Sequence, residues 1–238
     1  MTTRLTLAVA CVLSIGSVRG QQTFEVVSVK PSAPNSHTET RRWPGGRFTA
    51  TAVTLRALIQ RAWELQDFQI LGGPKWMDSD PYDIEAKSAS PVTSLSPLIQ
   101  NLLAERFALK THFETRELPM YSLTVAKGGL RLARNTSDQG PQWSLGRGTL
   151  TGEKISMEML ASDLLQHTLR QPVDDKTGVA GEYDLKLEWA PDETIATDLV
   201  DQPSFFTAIR EQWGLQLEHH KGPVKVLIVD AAEKPQPN

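Results

Sequence analysis

The chain has 238 residues, 39% hydrophobic and 22% charged, a composition that fits one large globular domain or two small ones and excludes a disordered or membrane-embedded protein. Its formal charge of −3 leaves no basic footprint for phosphates, so nucleic acid is excluded as the main partner. One cysteine, Cys11, excludes a disulfide framework.

The N-terminus reads as a secretory signal peptide over residues 1–20. Arg4 supplies the positive n-region, Leu5 to Ile15 the apolar run, and Val18 and Gly20 the small residues before the cleavage point. The apolar run is about half the roughly 20 residues that span a bilayer, so no stable membrane insertion is expected after cleavage. A lipid on Cys11 would truncate that run to an unworkable length. Cleavage removes Cys11, Arg4 and Arg19, moving the formal charge from −3 to −5. The expected mature protein is exported, periplasmic or extracellular, and held by its core alone.

Phe24 to Lys30 alternates as a strand, and 31–46 reads as a polar loop. Arg47 to Val53 predicts a strand, with Thr54 as the N-cap of a helix whose stripe is Leu55, Leu58, Ile59 and Ala62. A Gly/Pro/Asp-rich connection, GGPKWMDSDP, feeds a strand over Tyr82 to Ala86. Ser96-Pro97 opens a second helix with the stripe Ile99, Leu102, Leu103 and Phe107. Two strands follow, Leu109 to Phe113 and Met120 to Ala126, with Pro119 in the turn between them. Residues 130–147, rich in Arg, Asn, Ser, Gln and Gly, read as a linker.

The same order then recurs. Leu150 stands 102 positions after Phe48, and Ser156 takes the place of Thr54. Met157, Leu160, Ala161 and Leu164 reproduce the first stripe at that offset. Tyr183-Asp184 follows Tyr82-Asp83 at 101. Phe205, Ala208, Ile209 and Trp213 reproduce the second stripe at 106, and Pro223, Leu227 and Val229 match Pro119, Leu123 and Val125 at 104. Such drift is what small loop insertions in a duplicated unit give. The expected fold is α+β: two tandem β-α-β-α-β-β repeat units packed together, the first with the N-terminal strand over 21–129 and the second over 148–238. Each unit alone would bury only a modest core. The tail from Ala231 reads as frayed.

Chemical motifs are sparse. Asp175-Lys176-Thr177-Gly178 shares D-K-T-G with phosphorylated ion pumps and K-T-G with penicillin-recognising serine enzymes. The chain has no S-x-x-K and no S-D-N to complete the second. A turn, with Asp and Thr bonding local backbone and Gly at positive φ, explains the tetrapeptide. The histidines (37, 112, 167, 219 and 220) lack metal-ligand spacing, and no metal or cofactor is expected. Trp63, Trp76, Trp189 and Trp213 read as core. Trp43 and Trp143 lie in polar loops beside Arg41, Arg42 and Arg147 and are the better contact candidates. Candidate ligand or partner contacts are therefore Trp43, Trp143, Asp174, Asp175, Lys176 and Thr177, with no catalytic residue assigned.

The stretches FEVVSVKPS, GGRFTATAVTLRALIQRAW, ILGGPKWMDSDPYDIEAK, LLAERFALKTHFETRELPMYSLTVAKGG, RQPVDDKTGVAGEYDLKLEW and EQWGLQLEHHKGPVKVLIVD resemble a family of uncharacterised secreted proteins of soil bacteria, built on a domain of unknown function. Val179-Ala180 stands where that family usually has Leu-Thr. The resemblance implies no established activity. It implies kinship with domains fused to membrane zinc-peptidase sensor modules, and more faintly with periplasmic docking domains of secretins and outer-membrane receptors. The leading expectation is a non-catalytic binding, sensing or protein-interaction domain whose partner is an envelope protein or a small extracellular ligand. The alternatives are a secreted hydrolase using an acidic pair, Asp83 with Asp184 or Asp175, and a structural envelope protein.

Overall fold

The computed structural model describes residues 23–88, 94–190 and 202–236. The signal-peptide expectation for 1–20 lies outside the described residues. The described chain is mixed α and β, arranged in three four-stranded sheets.

In chain order the strands are β1 (Phe24–Pro31), β2 (Glu39–Trp43), β3 (Arg47–Thr54), β4 (Ile70–Gly72), β5 (Pro81–Ser88), β6 (Lys110–Val125), β7 (Ala133–Arg134), β8 (Gln142–Gly146), β9 (Thr149–Ser156), β10 (Val173–Asp175), β11 (Glu182–Glu188) and β12 (Leu215–Ala231). The helices are α1 (Leu55–Trp63), α2 (Trp76–Ser79), α3 (Ser96–Arg106), α4 (157–169) and α5 (205–213). Turns with i→i+5 bonding widen α4 over Leu160–Leu165 and α5 over Ile209–Trp213.

Side-chain caps start α1 and α4 where the sequence places them. Thr54 accepts the N–H of Ala57, and Ser156 that of Met159, each satisfying an otherwise orphaned donor. The residues of the first stripe, Leu55, Leu58, Ile59 and Ala62, are all at most 1% exposed. With Phe48, Ile84, Leu98, Leu103 and Phe107 they form the first core. The second core gathers Leu150, Ile155, Leu160, Leu164, Leu187, Ile209 and Trp213. The indole N–H of Trp213, fully buried, donates to the Lys186 carbonyl at 2.9 Å.

The first sheet has the order β1-β5-β3-β2 and the third β7-β11-β9-β8, so strands in corresponding places of the two halves occupy corresponding places in their sheets. The central sheet, β10-β6-β12-β4, joins the halves. Here β6 and β12 run antiparallel over their whole length, and Leu118 pairs with Gly222, 104 positions later. The short strand of each half adds in parallel to the other half's long strand. Thus Ile70 to Gly72 pair with Leu227 to Val229, and Val173 to Asp175 with Tyr121 to Leu123. Leu227 and Val229, from the last strand, therefore complete the first core, and Leu123 completes the second.

Four sequence expectations are corrected. The two strands expected on either side of Pro119 are one 16-residue strand, β6, and the corresponding C-terminal pair is one 17-residue strand, β12. Pro119 and Pro223 are tolerated because the outer side of each strand is open there: β10 pairs only with Tyr121 to Leu123 and β4 only with Leu227 to Val229. The linker expected over 130–147 carries β7 and β8, the two edge strands of the third sheet. The loop expected over 31–46 contains β2. Finally, the tail is tied down: the Glu233 N–H donates to the Phe107 carbonyl at 2.7 Å, and Lys234 pairs with Asp80 at 2.6 Å.

Candidate functional site

The residues singled out by sequence are not gathered into one place. Trp43 ends edge strand β2 and is 41% exposed; its indole N–H donates to Thr49 Oγ1 at 3.0 Å, and the Arg41 guanidinium lies 5.7 Å from the ring. Trp143, 46% exposed, lies on edge strand β8 of another sheet, in an open groove of about 440 Å³ with Gly152, Asp184 and Lys186. The D-K-T-G tetrapeptide is a self-capped turn. Asp175 Oδ1 accepts both the N–H and the hydroxyl of Thr177, Thr177 Oγ1 accepts the Val179 N–H, and Gly178 takes φ 65°.

Asp174 has other company. Its strand neighbours place it beside Ser122 and His220, and Lys176 Nζ is 3.2 Å from Oδ2. Burial pushes the Asp174 carboxyl up, but hydrogen bonding by Ser122 and Lys176, the Lys176 charge and His220 together hold it below the usual carboxylate value. Ser122 Oγ lies 2.8 Å from Nε2 of His220, whose Nδ1 is 3.0 Å from the Lys221 carbonyl. Sequence reasoning missed Ser122 and His220 because they meet across strands 98 residues apart. The grouping differs from a Ser-His-Asp relay in one decisive respect. Asp174 Oδ1 faces Nε2 at 3.5 Å, the same nitrogen that Ser122 uses, so no carboxylate orients the imidazole from behind. The backbone around Ser122 is committed to the ladder with β12. The cluster works as a polar tie across β10, β6 and β12.

The acidic pair is likewise dispersed. Asp83 lies in the first sheet, Asp184 in the third and Asp175 at the end of β10 in the central one. Asp83 accepts from Ser32 and from the Ala52 N–H, and Asp184 from Asn135 Nδ2 and the Lys154 N–H. Ala52 and Lys154 both have positive φ, 50° and 58°. Each carboxylate therefore pins a left-handed residue inside a strand, a structural duty that explains why Asp recurs at offset 101.

What the structure does assemble is a cleft of about 700 Å³ lined from both halves. Gln60 from α1 and Gln66, Asp67 and Phe68 from the turn after it form one wall. The β8–β9 hairpin tip, Leu145 to Gly148, with His167, Thr168 and Arg170 at the end of α4 and with Trp189, forms the other. Helix α4 is longer than the nine-residue α1, and its widened turns lead directly into His167 and Thr168. The volume lies in the range of small-molecule sites, which combine apolar walls with a few polar groups. Among the described residues of the lining the only carboxylate is Asp67, 3.3 Å from Arg56, whereas the side chains of Arg147 and Arg170 make no ion pair or hydrogen bond with any described residue.

Among the described residues no three His, Cys, Asp or Glu side chains are grouped to hold a metal ion, and no helix is long and apolar enough to cross a membrane. The model of the family described as "Protein of unknown function (DUF3738)" matches residues 56–232, three quarters of the chain and parts of both halves. The chain belongs to this family. No curated protein and no solved structure matches it.

Proposed function

We propose that this member of the family is an exported, non-catalytic binding module, built from two copies of one α+β unit, that holds a small extracellular ligand between them. The observation that carries this reading is the cleft of about 700 Å³ to which both halves contribute walls. Export is supported by the signal-peptide pattern of residues 1–20, and duplication by the matching strand orders of the first and third sheets. The resemblance to secreted soil-bacterial proteins and to sensor-fused domains agrees with a receptor-like role outside the cytoplasm. Binding without chemistry fits the dispersal of Asp83, Asp184 and Asp175 over three sheets, each in a different setting.

Thr168 lines the cleft and is half-buried, so Thr168→Trp would fill it. Saturation-transfer NMR with a fragment mixture should detect fragments on the wild-type protein that the Thr168→Trp protein, with an unchanged fold by circular dichroism, no longer takes up. Fragments that bind both proteins equally, or none at all, would remove the cleft as the functional site. Export is checked by fusing residues 1–22 to a reporter active only outside the cytoplasm; an inactive fusion would overturn that part.

A further inference from the structure

Resting on that cleft reading, we infer that the ligand is an organic anion: a carboxylate, sulfonate or phosphate carried on an apolar, preferably aromatic body. Most of the arginines described elsewhere in this acidic protein have a visible use. Arg41 pairs with Glu39, Arg47 with Glu85, Arg56 with Asp67 and Asp78, and Arg116 with Glu114, while Arg131 donates to the Glu211 carbonyl. Arg134, Arg147, Arg170 and Arg210 have no such use among the described residues, and of these Arg147 and Arg170 line the same concavity. Asp67, the one acid among the described lining residues, pairs with Arg56 at 3.3 Å. Two guanidinium groups without a partner among the described residues make the described lining cationic, and the planar fork of each matches a carboxylate or phosphate edge.

The scaffold does not demand cations at these positions. Glu64 closes α1 in the left-handed conformation (φ 54°) just as Arg170 closes α4 (φ 52°), yet carries the opposite charge. The turn leading into β3 is Pro44-Gly45-Gly46, whereas that leading into β9 is Gly146-Arg147-Gly148. The arginines are thus departures of the second half from the first, and both fall on the cleft. Its remaining lining supplies the apolar complement: Phe68, Leu145 and Trp189, the last of these in edge-to-face contact with Phe205 at 5.1 Å. Gln60, Gln66 and Thr168 add neutral hydrogen-bonding groups. A purely inorganic anion would leave the rings idle, and a neutral hydrocarbon would leave the guanidinium groups uncompensated on desolvation.

The test uses a matched pair of fluorescent probes on the full mature chain: 8-anilinonaphthalene-1-sulfonate, which is anionic, and N-phenyl-1-naphthylamine, its uncharged counterpart. The sulfonate should bind at least about tenfold more tightly than the amine. It should lose that advantage in Arg147→Gln/Arg170→Gln, and both probes should be displaced by Thr168→Trp. Equal binding of the two probes that Thr168→Trp abolishes would overturn the anion inference and leave the cleft reading intact. Binding of either probe that Thr168→Trp does not change places it outside the cleft and overturns both. Because both arginines are exposed, the glutamine variants should keep the wild-type melting temperature, so a loss of binding reads charge rather than folding.

Discussion

Asp83 holds Ala52 in a conformation that strand residues avoid: its Oδ1 accepts the Ala52 N–H at 3.1 Å while Ala52 sits at φ 50°. Asp184 does the same for Lys154 at 3.2 Å and φ 58°. A left-handed non-glycine residue costs on the order of 1–3 kcal/mol, and a hydrogen bond to a charged group returns roughly 1.5–3 kcal/mol. Asp83→Ala should therefore destabilise the protein by about 2 kcal/mol. Ala52→Gly, which in an ordinary strand would cost about 0.5–1 kcal/mol, should here be neutral or stabilising. Urea unfolding of the two variants checks both signs, and a clear loss of stability in Ala52→Gly would refute the account.

Neither half should fold alone. Strand β4 finds its ladder on β12 and β10 finds its ladder on β6, so cutting the chain between them strips each core of residues from the other side. Fragments 23–129 and 130–236 should each show no cooperative melt, and mixing them should restore one. A sharp thermal transition in either isolated fragment would show that the halves are separable domains.

Gly214 is fixed by contact as well as by conformation. It ends α5 at φ 69°, and a Cβ there would meet the Gly129 carbonyl oxygen at 1.9 Å. Gly214→Ala should cost on the order of 3 kcal/mol or more, at the large end for single substitutions. Gly178→Ala is a control. Its φ is 65° but a Cβ would meet nothing within 4 Å, so only the conformational cost of about 1 kcal/mol should appear in a melting curve.

His112 gives the stability an alkaline limb. Hydrogen bonds to Asp230 and then Glu114, each at 2.9 Å, raise its pKa, and the same bond lowers that of Glu114. The folded-state pKa of His112 lies above its unfolded value, so its contribution is complete below about pH 6.5 and is lost as pH rises through the folded value. The Glu114 side has the opposite sign and is lost as pH falls through its lowered value. His112→Gln should flatten the melting temperature between neutral and mildly alkaline pH, and the wild-type His112 ring should titrate above about pH 6.5 by NMR. A ring titrating below that value would contradict the geometry.

Much of the local structure could be read from side-chain type alone. Thr54 and Ser156 announce their helices because a cap is a contact within three residues, and the stripes of α1 and α3 are periodic. The short strands β4, β7 and β10 could not be read, because two or three residues have no periodicity and exist only where a partner strand lies. Pro119 misled for a related reason. It normally breaks a strand, and only the open outer edge beside it makes it harmless. The candidate contacts fared likewise: Trp43 and Trp143 are indeed exposed, but on different sheets, so exposure was legible and assembly was not.

The amino-acid order by itself carried the compartment expectation, the mixed α and β class, the capped starts of α1 and α4 and the expected correspondence between early and late segments, because each depends on neighbours a few residues apart or on composition. The cap expected from Ser96 for α3 is not made, the N-cap there being Leu95 without a side-chain bond. The tertiary structure alone decided that the short strands cross over to the opposite long strand. It also decided that Asp83 and Asp184 serve the backbone, and that Arg147, Arg170, Phe68 and Trp189 face one cleft. These are meetings of residues tens to more than a hundred positions apart. Their energy comes from pairing and burial between distant segments, for which a linear sequence carries no spacing signal.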